Sequence, residues 1–335
     1  MNVLAASAVP LGRLKCLYPG VAFCAVLALA GSFLAEHYGA PALLLVLLLG
    51  FGFSAQSRDQ RLEEGVAFSA RTILRVGIAL LGARIGLTQF EEVGTLPGVV
   101  VLLAVPLTLG FGLLLGSWLR LPFVHSLVAA VAVAICGVSA AVAVAAALPS
   151  GKLEERRLLG VVIGVTALGT LSMVVYPLLT AALGFSAAES GILLGASIHD
   201  VAQAAAAGYL VSDPAGDIAT LTKLLRVAML APLVLLIGYL LRRGEPGRAE
   251  FPWFLLGFVV LLALNSFGLI PQSLRQLMVA ASSWCLLVTM AALGMRTSVI
   301  ELMGLGWRPL AQLTLLSVFL VSVVALLLVL VPALT

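Results

Sequence analysis

Stretch after stretch of this sequence runs for about twenty residues with hardly a charge, and the charged residues gather in the short gaps between. That length crosses the hydrocarbon of a bilayer as a helix, and a helix satisfies its own backbone groups where no water is at hand. Only 10% of the 335 residues are charged and 62% are hydrophobic, so a water-soluble fold would lack the polar surface to cover these runs. A membrane barrel would show shorter, alternating segments. The fold class expected is an all-α polytopic membrane protein, one integral domain over 1–335, with residues 17–35 kept as a first helix because no convincing cleavage pattern follows them.

Eleven spans are predicted, at roughly 17–36, 41–54, 69–87, 97–118, 124–148, 158–183, 190–210, 220–241, 252–271, 277–296 and 307–332. The second is short and starts at Pro41; without it the count is ten. Arg13, Lys15, Arg120, Arg242, Arg243, Arg248, Arg296 and Arg308 share one side, while Glu91, Glu92, Asp213 and Asp217 fall opposite. Cytoplasmic loops are rich in lysine and arginine, which puts the amino terminus in the cytoplasm of a bacterial inner membrane. The KLEERR stretch at 152–157 falls on the other side, so the side of that loop stays open. The net charge of +4 forms no basic stripe, which suits membrane lipids and gives no reason to expect nucleic acid. None of the four cysteines forms a CxxC pair, and no metal or cofactor is expected.

LLGARIG at 80–86 aligns with ALGMRTS at 292–298, and at the same offset of 212 residues Gly94 and Pro97 meet Gly306 and Pro309. In an eleven-span chain these are the third and tenth spans and cross in opposite directions. That is the mark of an inverted-topology repeat, with halves near 41–183 and 190–335 around a midplane site. Arg84 and Arg296 recur with it, in gating or structural roles. A second echo, CGVSA at 136–140 against LGASI at 194–198, links spans running in parallel and reads as coincidence.

Polar groups inside apolar runs are costly unless they face protein, water or one another. The segment 127–149 carries Gly137 and Ser139 near its centre, fit either for close packing or for a broken, ligand-facing helix. GASIHDVAQAAAAG at 195–208 puts Ser197, His199, Asp200 and Gln203 in one apolar stretch behind Gly195, a place for local unwinding. His199 and Gln203 share a face if the helix is unbroken, and His199 and Asp200 can carry a proton or a coupling cation. Lys223 and Arg226, three apart, can face an anion or snorkel to headgroups, with Asp213 and Asp217 as salt partners. Asn265 sits at a Gly–Pro break that reads equally as a helix end. No HExxH or nucleophile triad is present, so an enzyme is not expected.

LLLGFGF at 48–54, RVGIALLGARI at 75–85, CGVSAAVAVAAAL at 136–148, GASIHDVAQAAAAG at 195–208 and TKLLRVAMLAP at 222–232 occur in an order that resembles the YeiH family of bacterial inner-membrane proteins, described as sulfate exporters. The resemblance implies a bile-acid and cation/proton transporter-like fold, with inverted repeats and crossing discontinuous helices. It points to the blocks around Ser139 and around His199 and Asp200. VAQAAAAG after the SIHD block departs from the more polar or valine-rich continuation of many relatives, so the substrate range here can differ. The function expected is secondary transport of a small inorganic or organic anion, sulfate or a sulfonate, with Gly137, Ser139, Ser197, His199, Gln203, Lys223 and Arg226 at the substrate. Proton or sodium coupling, another small solute, an anion channel, a membrane sensor and a homodimer all stay open.

Overall fold

The computed structural model describes residues 11–38, 42–84, 94–148, 153–242, 253–297 and 306–330, and every regular element among them is helical. Glu91, Glu92, Lys152, Arg243, Arg248 and much of the repeated 80–98 and 292–310 segments lie outside the described residues. Six described helices are long and apolar enough to cross a membrane, from Cys16–Tyr38 to Trp307–Leu330, and four shorter apolar ones accompany them. The protein is therefore a multi-pass membrane protein. Leucines such as Leu102 and Leu114 stand exposed, as a lipid-facing surface requires.

The chain forms two compact units, Met1–Ile78 with Ala280–Arg296, and Ala79–Val279 with Thr297–Thr335. These cut across the repeat halves expected from the sequence, which concern duplication rather than packing. The first unit holds α1 (Leu11–Tyr38), α2 (Ala42–Gly52), α3 (Gln60–Phe68), most of α4 (Leu74–Leu81) and the carboxyl part of α14 (Gln272–Arg296). A π turn at Ser69–Ile73 joins α3 to α4. The span expected at 69–87 in fact begins its helix at Gln60, because Asp59 caps the amide of Arg61 at 2.9 Å and carries the polar RLEEG run into the helix. Glycines make the close contacts: a Cβ on Gly50 or Gly294 would strike the backbone of Ala291 or Leu47.

The second unit holds α5 (Leu96–Trp118), α6 (Phe123–Ala134), α7 (Val138–Ala147), α8 (Glu155–Ala182), α9 (Ala187–Ser197), α10 (Val201–Val211), α11 (Asp213–Ala228), α12 (Leu230–Arg242), α13 (Trp253–Ser266) and α15 (Trp307–Leu330). The spans expected at 124–148 and 190–210 are each two half-helices, α6 with α7 and α9 with α10. The helix expected from 220 begins at Asp213, where Ser212 caps the amide of Ala215 and Pro214 fills the first turn. Asp217, read as a loop residue, is thereby helical and buried. The α9–α11 contact is a seam of small residues, Gly191 and Gly195 against the backbone of Ala215 and Ala219. On the other side α15 packs on α5, with the rings of Phe111 and Phe319 stacked at 4.0 Å.

Gly94 and Gly306, paired by the sequence repeat, both take left-handed backbone, at φ 65° and 79°. Each precedes a long helix with proline in its first turn, Pro97 in α5 and Pro309 in α15.

Candidate functional site

The two broken helices meet at their breaks. The α6 ladder ends at Ile135, whose φ of −119° and ψ of −81° leave the helical region, and Gly137 turns the chain into α7 at φ 63°, ψ −119°. In the other pair α9 stops at Ser197, Ile198 is extended, and α10 restarts behind Asp200. A Cβ on Gly137 would lie 3.5 Å from the Cβ of His199, so the two turns touch.

Each break releases carbonyl oxygens that an unbroken helix would have used, and buried carbonyls need donors. Two residues of α11 provide them. Lys223 Nζ donates to the carbonyls of Ile135 at 2.6 Å and Ile198 at 2.7 Å. Arg226 donates through Nε to Ala134 at 3.0 Å, through Nη2 to Val133 at 2.8 Å, and through Nη1 to Ile198 at 3.0 Å and Gly195 at 3.3 Å. Their exposures are 0% and 1%, which excludes snorkelling to headgroups. Their partners are helix ends rather than Asp213 or Asp217. Each cation bridges the carboxyl ends of α6 and α9, where the helix dipoles are negative.

The amino ends of the half-helices differ. Asp200 caps α10, its carboxylate accepting from the amide of Ala202 at 2.8 Å. At α7 no side chain among the described residues caps the first turn, although Ser139 lies in it, exposed, with its Oγ 2.8 Å from Cys136 Sγ and donating to the Cys136 carbonyl at 3.2 Å. The four helix ends carry about half a charge each and cancel in pairs, so the formal charges of Lys223, Arg226 and Asp200 sum to plus one at the crossing.

His199 is 1% exposed and its Nε2 lies 2.8 Å from Ser317 Oγ. That hydroxyl gives its own hydrogen to the Leu313 carbonyl, so Nε2 donates and Nδ1 keeps the lone pair. Nδ1 has no partner among the described residues. Gln203 donates to Thr170 Oγ1 at 3.0 Å, while its Oε1, against Gly169, is also without a described partner. The break separates His199 from Gln203, so the shared face expected of an unbroken helix does not exist. Ser197 returns its hydroxyl to the Leu193 carbonyl at 2.6 Å and packs within α9.

Arg84 has a different setting. It pairs with Asp213 at 3.0 Å and with Asp217 at 2.9 Å, its guanidinium 5.0 Å from the ring centre of Tyr209, whose hydroxyl donates to Asp217 at 2.7 Å. Arg84 thus ties the turn after α4 to the α10–α11 corner. With Asp217 only 6% exposed, Arg84→Ala and Asp217→Asn should each lower stability by about 1–3 kcal/mol, and the double variant by clearly less than their sum. Unfolding of the four proteins in detergent measures this, and strict additivity would refute the coupling. Arg296 ends α14 in the first unit, exposed. Asn265 lies in the last turn of α13, which closes through Gly268 at φ 67°.

Sequence reasoning missed Ser317, Thr170 and Cys136, the partners of His199, Gln203 and Ser139. For Ser317 and Thr170 a lone hydroxyl in a long apolar helix was the available signal, and such residues equally bond back to their own helix, as both also do; Cys136, a thiol in the first break, read as inert packing. Among the described residues no group of three or more His, Cys, Asp or Glu could hold a metal ion.

Comparison with known proteins gives a consistent result. Residues 19–313 match the family model described as conserved hypothetical protein 698. The UPF0324 membrane protein TauZ of Paracoccus denitrificans is 43% identical over 92% of this chain and 94% of its own length. A UPF0324 membrane protein of Chlorobaculum tepidum is 40% identical over 92% of this chain and 88% of its own, and one of Rhizobium meliloti 42% over 86% of each. No solved structure matches.

Proposed function

The chain belongs to the UPF0324 membrane proteins, the family of conserved hypothetical protein 698, and on that premise we propose that it is a secondary transporter moving a small anion across the bacterial inner membrane by alternating access. The observation that carries the reading is the pair of broken helices crossing inside a multi-pass bundle, with both carboxyl ends neutralised by Lys223 and Arg226 and one amino end, at Ser139, left uncapped. Crossed half-helices whose amino ends point at an anionic group are a recurrent transporter device, and an uncapped amino end favours negative charge. A channel needs no such crossing. The excess positive charge of about one unit suits an anion held by neutral donors, firmly enough for selection and weakly enough for release.

In this reading the first amides of α7 and the Ser139 hydroxyl donate to the anion, and His199 Nδ1 takes up a proton and then donates to it, so that a proton travels with the cargo. Lys223 and Arg226 set the field without touching the cargo, and Asp200 holds α10. Gly94 and Gly306 support an inverted repeat in which α5 and α15 are mates. The family resemblance suggests sulfate or an organic sulfonate.

Proteoliposome uptake of labelled sulfate and sulfonates, under imposed pH and sodium gradients, tests the reading. Saturable flux is expected, falling about tenfold or more in Ser139→Ala at unchanged Tm, the loss of one good hydrogen bond, and in His199→Ala by more than its lowered Tm explains, because that side chain is also buried and bonded to Ser317. Transport of a neutral or cationic solute without competition by oxyanions would overturn the cargo, and absence of any saturable flux would overturn the transporter.

A further inference from the structure

Transporters built on crossed half-helices hold a coupling sodium ion with the carbonyl oxygens that helix breaks release. Here those oxygens are engaged by the protein's own cations. Five of them, from Val133, Ala134 and Ile135 on one break and Gly195 and Ile198 on the other, all accept from Lys223 or Arg226, and the Ile198 oxygen accepts from both. Both side chains reach the breaks from successive turns of a third helix, α11, and are sealed from water. An ammonium 2.6 and 2.7 Å from carbonyls of two different helices makes the contacts that a small monovalent metal ion would make, and it cannot leave.

We infer that Lys223 is a tethered cation occupying the position of a coupling sodium ion, with Arg226 as its fixed neighbour. The crossing therefore works without sodium, and the same carbonyls become a sodium site once the ammonium is removed. The inference rests on the transporter reading for its meaning, and on the hydrogen bonds alone for its geometry. It goes beyond that reading in naming the cation class excluded from coupling and the residue that excludes it. The other charged group at the crossing, Asp200, does not compete for the role of tether, because its carboxylate faces the α10 amides. In Lys223→Ala it adds a negative charge near the vacated carbonyls and favours a metal cation there.

The test is equilibrium binding of radioactive sodium to the purified full chain in detergent, with thermal unfolding in sodium chloride and in choline chloride. The wild-type protein is expected to bind no sodium above background and to unfold at the same temperature in both salts. Lys223→Ala is expected to gain a saturable sodium signal and to unfold about 2–4 °C higher in sodium than in choline when sodium exceeds its Kd tenfold. Lys223→Arg, which keeps a tethered cation, should behave as wild type. Saturable sodium binding by the wild-type protein overturns the inference whether or not the alanine variant folds. A folded Lys223→Ala that stays indifferent to sodium overturns it too. Neither measurement requires flux: a protein that shows this binding pattern but moves no solute loses only the transporter reading, and one that moves an anion while binding sodium loses only the inference.

Discussion

Arg226→Ala is expected to leave little or no monodisperse protein in detergent, the largest effect of any single substitution in the second unit. Four hydrogen bonds between two broken helices go at once, and three carbonyls, of Val133, Ala134 and Gly195, are left with no other side-chain donor among the described residues, while Ile198 keeps Lys223. A buried polar group stripped of its partner costs about 1–3 kcal/mol, and breaking a buried charged contact from one side costs about 3–5 kcal/mol. Set against a total stability of about 5–15 kcal/mol, a loss of at least about 4 kcal/mol reaches the threshold of folding. Arg226→Lys should recover part of this, because an ammonium keeps the charge but not the planar fork that serves both helices. Size-exclusion chromatography followed by thermal unfolding separates the variants. A monodisperse Arg226→Ala protein with wild-type Tm would mean that the carbonyls find other donors, and the clamp would be incidental. Lys223→Ala, which removes two bonds rather than four, should fall between.

That Lys223 and Arg226 were special could be read from the sequence, since two cations three apart in an apolar helix need a reason. Where they go could not. Two of their acceptors lie 88 and 92 residues away at Ile135 and Ala134, and carbonyls there need a donor because their helix has stopped. The first break had a visible signal in Gly137. The second was expected at Gly195, but that glycine stays helical as a packing contact against Ala219; the chain leaves the helix over Ile198 and His199, with Asp200 capping the restart. Asp213 and Asp217 misled for a related reason. Charge density there resembles a loop, yet Ser212 and Pro214 start a helix, and the carboxylates point along it to Arg84, 133 residues back from Asp217. Apolar run length thus fixed the class and most helices. The site depended on non-local pairing that periodicity does not carry.

Gly137→Ala should damage the crossing by backbone conformation alone. At φ 63° and ψ −119° the residue sits where only glycine is comfortable, and an L side chain there costs about 1–3 kcal/mol. Space is not the obstacle: the new Cβ would stand 3.5 Å from the His199 Cβ and 3.7 Å from Val165, ordinary contact distances. The strain can be relieved only by rotating the turn. Rotation moves the Ile135 carbonyl off Lys223 and turns the first amides of α7, with Ser139, away from their present direction. Stability and transport should therefore fall together, with a Tm lower by about 2–10 °C and flux reduced well beyond what the thermal loss explains at the assay temperature. Gly98→Ala is the matched control, a helical glycine in α5 with nothing within 4 Å of its Cβ, and it should be neutral or slightly stabilising. If Gly137→Ala matched Gly98→Ala in both Tm and flux, the turn would be free to take another shape, and the breaks would not be the fixed geometry on which an anion site at Ser139 depends.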